Sequence, residues 1–187
     1  MSTRGNVLFA SNFYMNDNNI KTEDIENNTR ILEGVIENAF KIYVHSDMYP
    51  SGALRMLTKY LRLDGAKRRA HDTSYLAAWF VGFKCMHMIP YTRAFFSDER
   101  IEPNKIRKTY GNMEKSKDFF GVGLLKECAS DADYNYIIVP KLEEENRNYY
   151  NYQNSFDILI FDWNFKHLAT INSEDNLETF KEENWWH

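Results

Sequence analysis

A short apolar stretch that ends in a proline turn constrains the fold of this chain more than any other feature. Ile42 and Val44 lie on the same face of a predicted strand, because side chains alternate between the two faces of a strand. Pro50 ends the stretch, and a residue that precedes proline is biased toward an extended backbone, which keeps Tyr49 in line with the strand. The stretch therefore predicts a short buried strand that stops in a polar turn and leads into a helix.

Three polar side chains follow this strand at alternate positions, namely His45, Asp47 and Tyr49. With an extended backbone, an imidazole, a carboxylate and a phenol emerge on one side of the sheet, at its end. Arg4 begins the first predicted strand, and a guanidinium group can bind phosphate or carboxylate through two parallel hydrogen bonds. We therefore predict a ligand-binding site where these segments meet. The predicted ligand-binding residues are Thr3, Arg4, His45, Asp47, Tyr49 and Lys59.

The same cluster permits other interpretations. A strand-end turn, in which Asp47 bonds nearby backbone amides, accounts for the pattern as well as ligand binding does, and a structural ion pair accounts for Arg4. An acid–base pair of Asp47 and His45 ranks lower. A metal site ranks lowest, because two ligands are fewer than such sites usually need. Ser2 beside a free amine is a generic nucleophile candidate. We predict no metal, no cofactor and no catalytic residue.

Composition bounds the class of protein. A length of 187 residues suits one domain, and the net charge of −4 makes sequence-independent binding of nucleic acid unfavourable. Two cysteines are too few for a disulfide framework and fit a reducing interior. No apolar stretch has the length of a membrane span, and the first residues carry no secretion signal, so we expect a soluble, cytoplasmic protein. One basic stretch follows the proline turn. Two interpretations stay open: a solvated helix face, which is the commoner one, and a face from which one or more cations bind phosphates beside His45. The stretch contains Arg55, Lys59, Arg62, Lys67, Arg68 and Arg69.

Apolar periodicity predicts an α+β fold, in which a mostly antiparallel sheet from the N- and C-terminal strands packs against a central helical pair. The first strand is apolar on both faces, so it should be central. Residues 31–37 could form a helix, but Gly34 disfavours one, and we predict a hairpin with 40–45 instead. The predicted strands are 5–13, 31–37, 40–45, 119–124, 134–139, 156–161 and 167–171.

Helices are predicted from a cap at Ser51 to about residue 65, over 72–88, and from a cap at Ser173 to residue 181. The second of these is apolar nearly all round, which predicts burial on every side. We expect a single domain over 1–187. Within it, 14–29 is predicted to be a polar loop or insertion and 91–118 a surface segment.

Three segments resemble a known family: residues 1–5 (Met-Ser-Thr-Arg-Gly), 42–52 (Ile-Tyr-Val-His-Ser-Asp-Met-Tyr-Pro-Ser-Gly) and 133–138 (Asp-Tyr-Asn-Tyr-Ile-Ile). They are similar to segments of a family of uncharacterised phage and bacterial proteins with an N-terminal Thr-Arg-Gly, a His-x-Asp-x-Tyr-Pro turn and a tyrosine-rich late strand. The chain departs from that pattern at Ser46, where the family often has an aromatic residue, and at Ala53, where a second glycine is replaced. The resemblance implies a phage-type accessory protein and no particular reaction.

These observations give one leading hypothesis and two alternatives. The leading one is a phage-encoded accessory protein, acting in counter-defence in the host cytoplasm, that binds a small phosphorylated ligand such as a signalling nucleotide. The first alternative is an inhibitor that binds a host protein through the acidic segments 143–145 and 174–183. The second is a small hydrolase that uses His45 and Asp47, or Ser2. The sequence leaves the oligomeric state open, including a homo-oligomer.

Overall fold

A six-stranded sheet forms the centre of the protein in a computed structural model that describes residues 3–45, 48–87, 122–142 and 154–176. The strand order is β3-β2-β1-β4-β5-β6, and every neighbouring pair is antiparallel except β1 and β4. This confirms the α+β prediction. The strands are β1 Gly5–Phe9, β2 Phe40–Val44, β3 Val122–Leu125, β4 Tyr134–Lys141, β5 Ser155–Asp162 and β6 His167–Asn172.

Helices cover both faces of the sheet. They are α1 Asn12–Asp17, α2 Thr22–Asn27, α3 Thr29–Asn38, α4 Pro50–Leu61, α5 Asp64–Arg68 and α6 Thr73–His87. Val7 and Phe9 of β1 point to the face covered by α4, α5 and α6, which we call the first face. Leu8 and Ala10 point to the second face, which α1, α2 and α3 cover. As its two apolar faces predicted, β1 is a central strand buried on both sides.

The helices on the second face correct two predictions. Residues 14–29 are not a loop, because most of them belong to α1 and α2, and these helices bury Met15 and Ile25. Residues 31–37 are not a strand but part of α3, which buries Leu32 and Val35 at helical spacing. β2 consequently pairs with β1 and β3 rather than with a hairpin partner at 31–37. The few apolar residues in 14–29 made α1 and α2 look like a surface loop, whereas α3 was missed because Gly34 was taken to disfavour a helix.

Gly34 misled the sequence interpretation for a local reason. A Cβ atom at this position would lie 2.0 Å from the hydroxyl oxygen of Tyr14 on α1. The glycine therefore leaves room for the end of the Tyr14 side chain against α3, and its low helix propensity is a side effect of that contact.

We expect Gly34→Ala to lower the free energy of unfolding by about 1 kcal/mol, because the conflict with Tyr14 outweighs the gain in helix propensity. In a Tyr14→Ala background the same substitution should instead raise it, by about 0.5–1 kcal/mol. Urea unfolding of the four proteins measures both effects. A stabilising Gly34→Ala in both backgrounds would show that the glycine serves another purpose.

The helices on the first face largely follow the prediction. α6 covers the predicted range of 72–88 almost completely, but it is not buried all round, since the side chain of Trp79 is 52% exposed. α4 begins at Pro50 with Tyr49 at the cap position, so the prediction of a Ser51 cap was wrong. Proline suits the first helical position because its missing N–H would be unpaired there anyway. No helix in the described ranges is long and apolar enough to cross a bilayer.

The late strands also agree with the sequence. β4 and β5 form the predicted antiparallel pair, and β6 follows a turn at 163–164. The first strand is shorter than predicted, because Ser11 caps α1 and ends the extended segment. Residues 91–118, predicted to be a surface segment, lie outside the described residues, as do 143–153 and 177–187. The predicted C-terminal helix does not begin at Ser173, because residues 173–175 form a turn.

Candidate functional site

The N-terminal residues and the end of β2 lie side by side, as the sequence predicted. Gly5 pairs with Val44 in the antiparallel β1–β2 ladder. Just beyond the ladder, the backbone N–H of Met48 donates to the carbonyl oxygen of Thr3 at 3.3 Å. Arg4 therefore lies opposite His45, at the end of the sheet where β1 and β4 begin.

The Arg4 side chain is held by a carboxylate that the sequence did not indicate. Its Nη1 lies 2.5 Å from Oδ2 of Asp131. Its backbone N–H donates to Oδ2 of Asp133 at 2.8 Å. The side chains of Arg4 and Asp131 are 40% and 54% exposed, so this pair is open to solvent and a ligand can reach it.

Tyr43 connects this pair to the histidine. Its hydroxyl lies 3.4 Å from Nδ1 of His45 and 3.5 Å from Oδ2 of Asp131. Partial burial and the negative charge of Asp131 raise the pKa of the Tyr43 phenol, and the nearby Arg4 opposes that shift. The phenol therefore keeps its proton at neutral pH and can donate it in a hydrogen bond. We call the group of Arg4, Tyr43, His45 and Asp131 the Arg4 corner.

The segment that carries Asp131 crosses the second face of the sheet on its way from β3 to β4. Asn6 fixes it there: its Nδ2 donates to the carbonyl oxygen of Ala129 at 3.2 Å, and its Oδ1 accepts from the N–H of Ala129 at 3.1 Å. Asn6 Nδ2 also donates to Oδ1 of Asn135 on β4 at 2.8 Å. Both asparagine side chains are buried, so this small network determines where Asp131 lies.

Gly5 allows Met48 to pack against the beginning of β1, next to the Arg4 corner. A Cβ atom at Gly5 would lie 2.9 Å from the Cβ of Met48, whose side chain is fully buried. The carbonyl oxygen of Met48 in turn accepts from the Tyr136 hydroxyl at 2.7 Å. The glycine of the Thr-Arg-Gly motif thus has a packing role, because only a residue without a side chain leaves room for Met48.

The structure separates the six predicted site residues. Arg4 and His45 meet at the corner on the second face. Lys59 belongs to α4, which covers the first face, so it does not join them. Tyr49 caps α4 and is partly exposed, and Thr3 is buried with its carbonyl bonded to Met48. Asp47 lies outside the described residues.

The sequence analysis missed two residues of the Arg4 corner, Tyr43 and Asp131, and also Asp133, which binds the backbone of Arg4. Tyr43 could have been found, because it alternates with His45 and so shares its face of β2. Asp131 and Asp133 had no such signal, since they reach Arg4 from 127 and 129 residues away in the chain. Their position depends on the parallel pairing of β1 with β4, which local patterns do not reveal.

The basic stretch after the proline turn has mainly structural contacts. Arg62 donates to two backbone carbonyl oxygens beyond β6, each at 2.6 Å. Lys67 forms an ion pair with Glu174 at 3.0 Å, and the guanidinium of Arg69 lies 4.9 Å from the ring centroid of Tyr75. These cations tie α4 and α5 to neighbouring segments, so the stretch as a whole is not a continuous anion-binding surface.

Comparison with other proteins gives no family for this fold and site. No protein-family model matches the chain, and no curated protein or solved structure is similar to it. In the described ranges no three histidine, cysteine or acidic side chains gather as metal ligands would. The burial of Cys128 raises the pKa of its thiol, which suits a small apolar side chain rather than a reactive thiolate.

Proposed function

We propose that the protein binds a small phosphorylated ligand, such as a signalling nucleotide, at the Arg4 corner. In the setting that the family resemblance implies, it would act as a phage accessory protein in counter-defence. The observation that supports this proposal best is the exposed Arg4 guanidinium, held in place by Asp131 beside the Tyr43 phenol and the His45 imidazole.

The chemistry of these groups suits a phosphate with a polar organic part. A guanidinium group has five N–H donors, and Asp131 occupies one of them through Nη1. The donors that remain can bind phosphate oxygens, while the Tyr43 hydroxyl and the His45 ring offer contacts to a base or sugar. Asp131 and Asp133 add negative charge near the phosphate and oppose its binding. The ligand therefore depends on the hydrogen bonds that the Arg4 guanidinium donates.

The test is thermal unfolding with a panel of mononucleotides, dinucleotides and cyclic nucleotides. A ligand at a hundred times its dissociation constant should stabilise the wild type by about 2.7 kcal/mol. Arg4→Met should abolish this gain, and Arg4→Lys should restore only part of it, because lysine keeps the charge but not the fork. Arg30→Met on the exposed side of α3 is the matched control and should keep the full gain. Stabilisation that persists in Arg4→Met would refute the proposed site.

The same variants separate the two alternatives. An inhibitor of a host protein should retain its partner in Arg4→Met and ignore the nucleotide panel. A hydrolase should turn over the ligand, and His45→Ala should stop turnover while binding persists. Mass spectrometry of small molecules that co-purify with the wild type identifies the ligand directly.

A further inference from the structure

A groove lies at the end of the sheet opposite the Arg4 corner, and its volume is that of a small-molecule site. It encloses about 900 Å³ between α1, α2 and the end of β4. This volume is within the range of small-molecule pockets, which are usually about 300–1,000 Å³. Its apolar lining consists of Met15, Ile20, Val139, Pro140 and Leu142, and its polar lining of Asn12, Asn16, Lys21, Thr22, Glu23 and Lys141.

A buried carboxylate anchors one cation at the wall of this groove. Nζ of Lys141 lies 2.9 Å from Oδ2 of Asp157, and the two side chains are 55% and 5% exposed. Asp157 also accepts from the Thr22 hydroxyl at 2.9 Å and from Nδ2 of Asn172 at 3.0 Å. Lys141 lines the groove and Asp157 does not, so the buried carboxylate fixes the position of the lysine ammonium without itself facing the groove.

The anchored ammonium group can still bind a second anion. A lysine ammonium has three N–H donors, and among the described residues only Asp157 is a partner of Lys141. Lys21 also lines the groove and adds a second positive charge, which the carboxylate of Glu23, another lining residue, partly opposes. Next to these cations the apolar side chains offer a surface for a hydrocarbon or aromatic body.

We propose that this groove binds a small anionic molecule with an apolar body, whose headgroup contacts Lys141. The headgroup is a carboxylate or a phosphate, since an ammonium group binds either. This site lies at the end of β1 and β4 that is opposite the Arg4 corner, so the two sites are separate.

The test is a titration of ¹⁵N-labelled protein with octanoate, octyl phosphate, octylammonium and octanol. These probes share one apolar body and differ in their headgroups. Octanoate, octyl phosphate or both should shift the amide resonances of Asn16, Ile20 and Thr22, and should leave those of Tyr43 and Asp133 unchanged. The tighter of the two identifies the headgroup. Octylammonium and octanol should bind about tenfold more weakly or not at all.

The variant test removes the cation without leaving a buried charge. Lys141→Met alone would leave the buried Asp157 carboxylate without its cation, so it is combined with Asp157→Asn, which removes that charge as well. The double variant should bind the anionic probe about tenfold more weakly, whereas Lys166→Met, at an exposed turn, should bind it as the wild type does.

Several results would overturn this proposal. They are equal binding of octylammonium, shifts confined to other parts of the protein, no binding of any probe, and unchanged affinity in the double variant. If the double variant does not fold, the comparison of the four probes on the wild type still tests whether the groove prefers an anionic headgroup.

Discussion

Replacing Asn6 with alanine is expected to lower the free energy of unfolding by about 3 kcal/mol. The side chain is 1% exposed and makes three hydrogen bonds, two with the backbone of Ala129 and one with Asn135. Alanine would leave the N–H of Ala129 and Oδ1 of Asn135 without these partners. Each buried polar group that loses its partner costs about 1–3 kcal/mol.

Urea unfolding measures the loss, and amide hydrogen exchange locates it. Exchange at Ala129 should accelerate in Asn6→Ala beyond the change at β5, because the segment that carries Asp131 loses its attachment. Asn27→Ala is the matched control, since the Asn27 side chain also donates to a backbone carbonyl but is exposed. It should change stability by less than about 0.5 kcal/mol. A loss below about 1 kcal/mol in Asn6→Ala would mean that water replaces the amide.

Strongly alkaline solution is expected to unfold the protein through two buried tyrosines. Burial raises the pKa of Tyr60 and of Tyr136 above the ordinary value of 10.0. Their hydroxyls donate to the carbonyl oxygens of Leu76 at 2.6 Å and Met48 at 2.7 Å, contacts that a phenolate cannot make. Both phenols therefore stay protonated in the folded state when their unfolded counterparts have already lost the proton.

The sign of the effect follows from proton linkage. Above pH 10 the folded state binds more protons than the unfolded state, so stability falls as the pH rises. Each fully protonated phenol contributes about 1.4 kcal/mol per pH unit until the pH reaches its raised pKa. Below pH 10 the two phenols leave stability independent of pH.

Urea unfolding between pH 9 and 12 tests this expectation. Tyr60→Phe and Tyr136→Phe should each reduce the slope above pH 10 by about 1.4 kcal/mol per pH unit, at the cost of one hydrogen bond at neutral pH. Cys128 and Tyr43, whose pKa values are also raised, contribute equally to wild type and variants and cancel in the comparison. If the slope of the unfolding free energy against pH is unchanged in both variants, Tyr60 and Tyr136 do not cause the alkaline loss of stability.

The sequence predicted the parts of the fold whose signal is local. Alternating apolar residues located β4 and β5, and the apolar run at 73–87 located α6. α1 and α2 were missed because few of their residues are apolar. α3 was missed because Gly34 lowers its helix propensity, although the glycine is explained by its contact with the Tyr14 side chain.

The candidate site was likewise predictable only where its signal is local in the sequence. The position of Arg4 beside His45 follows from two neighbouring antiparallel strands, and both strands could be read from the sequence. Asp131 could not be foreseen, because Asn6 and the β1–β4 ladder determine its place. Lys59 was assigned to the site for its closeness in sequence, whereas the helix that carries it packs on the other face.

The pairing of β1 with β4 has a consequence during synthesis of the chain. Asn6 and Asn135, which face each other in that ladder, are separated by 129 residues. At the usual elongation rates of about 5–20 residues per second, β4 leaves the ribosome about 6–26 seconds after β1. Throughout that interval the edge of β1 that later pairs with β4 has no partner. Slower translation prolongs the time during which this edge of β1 is unpaired.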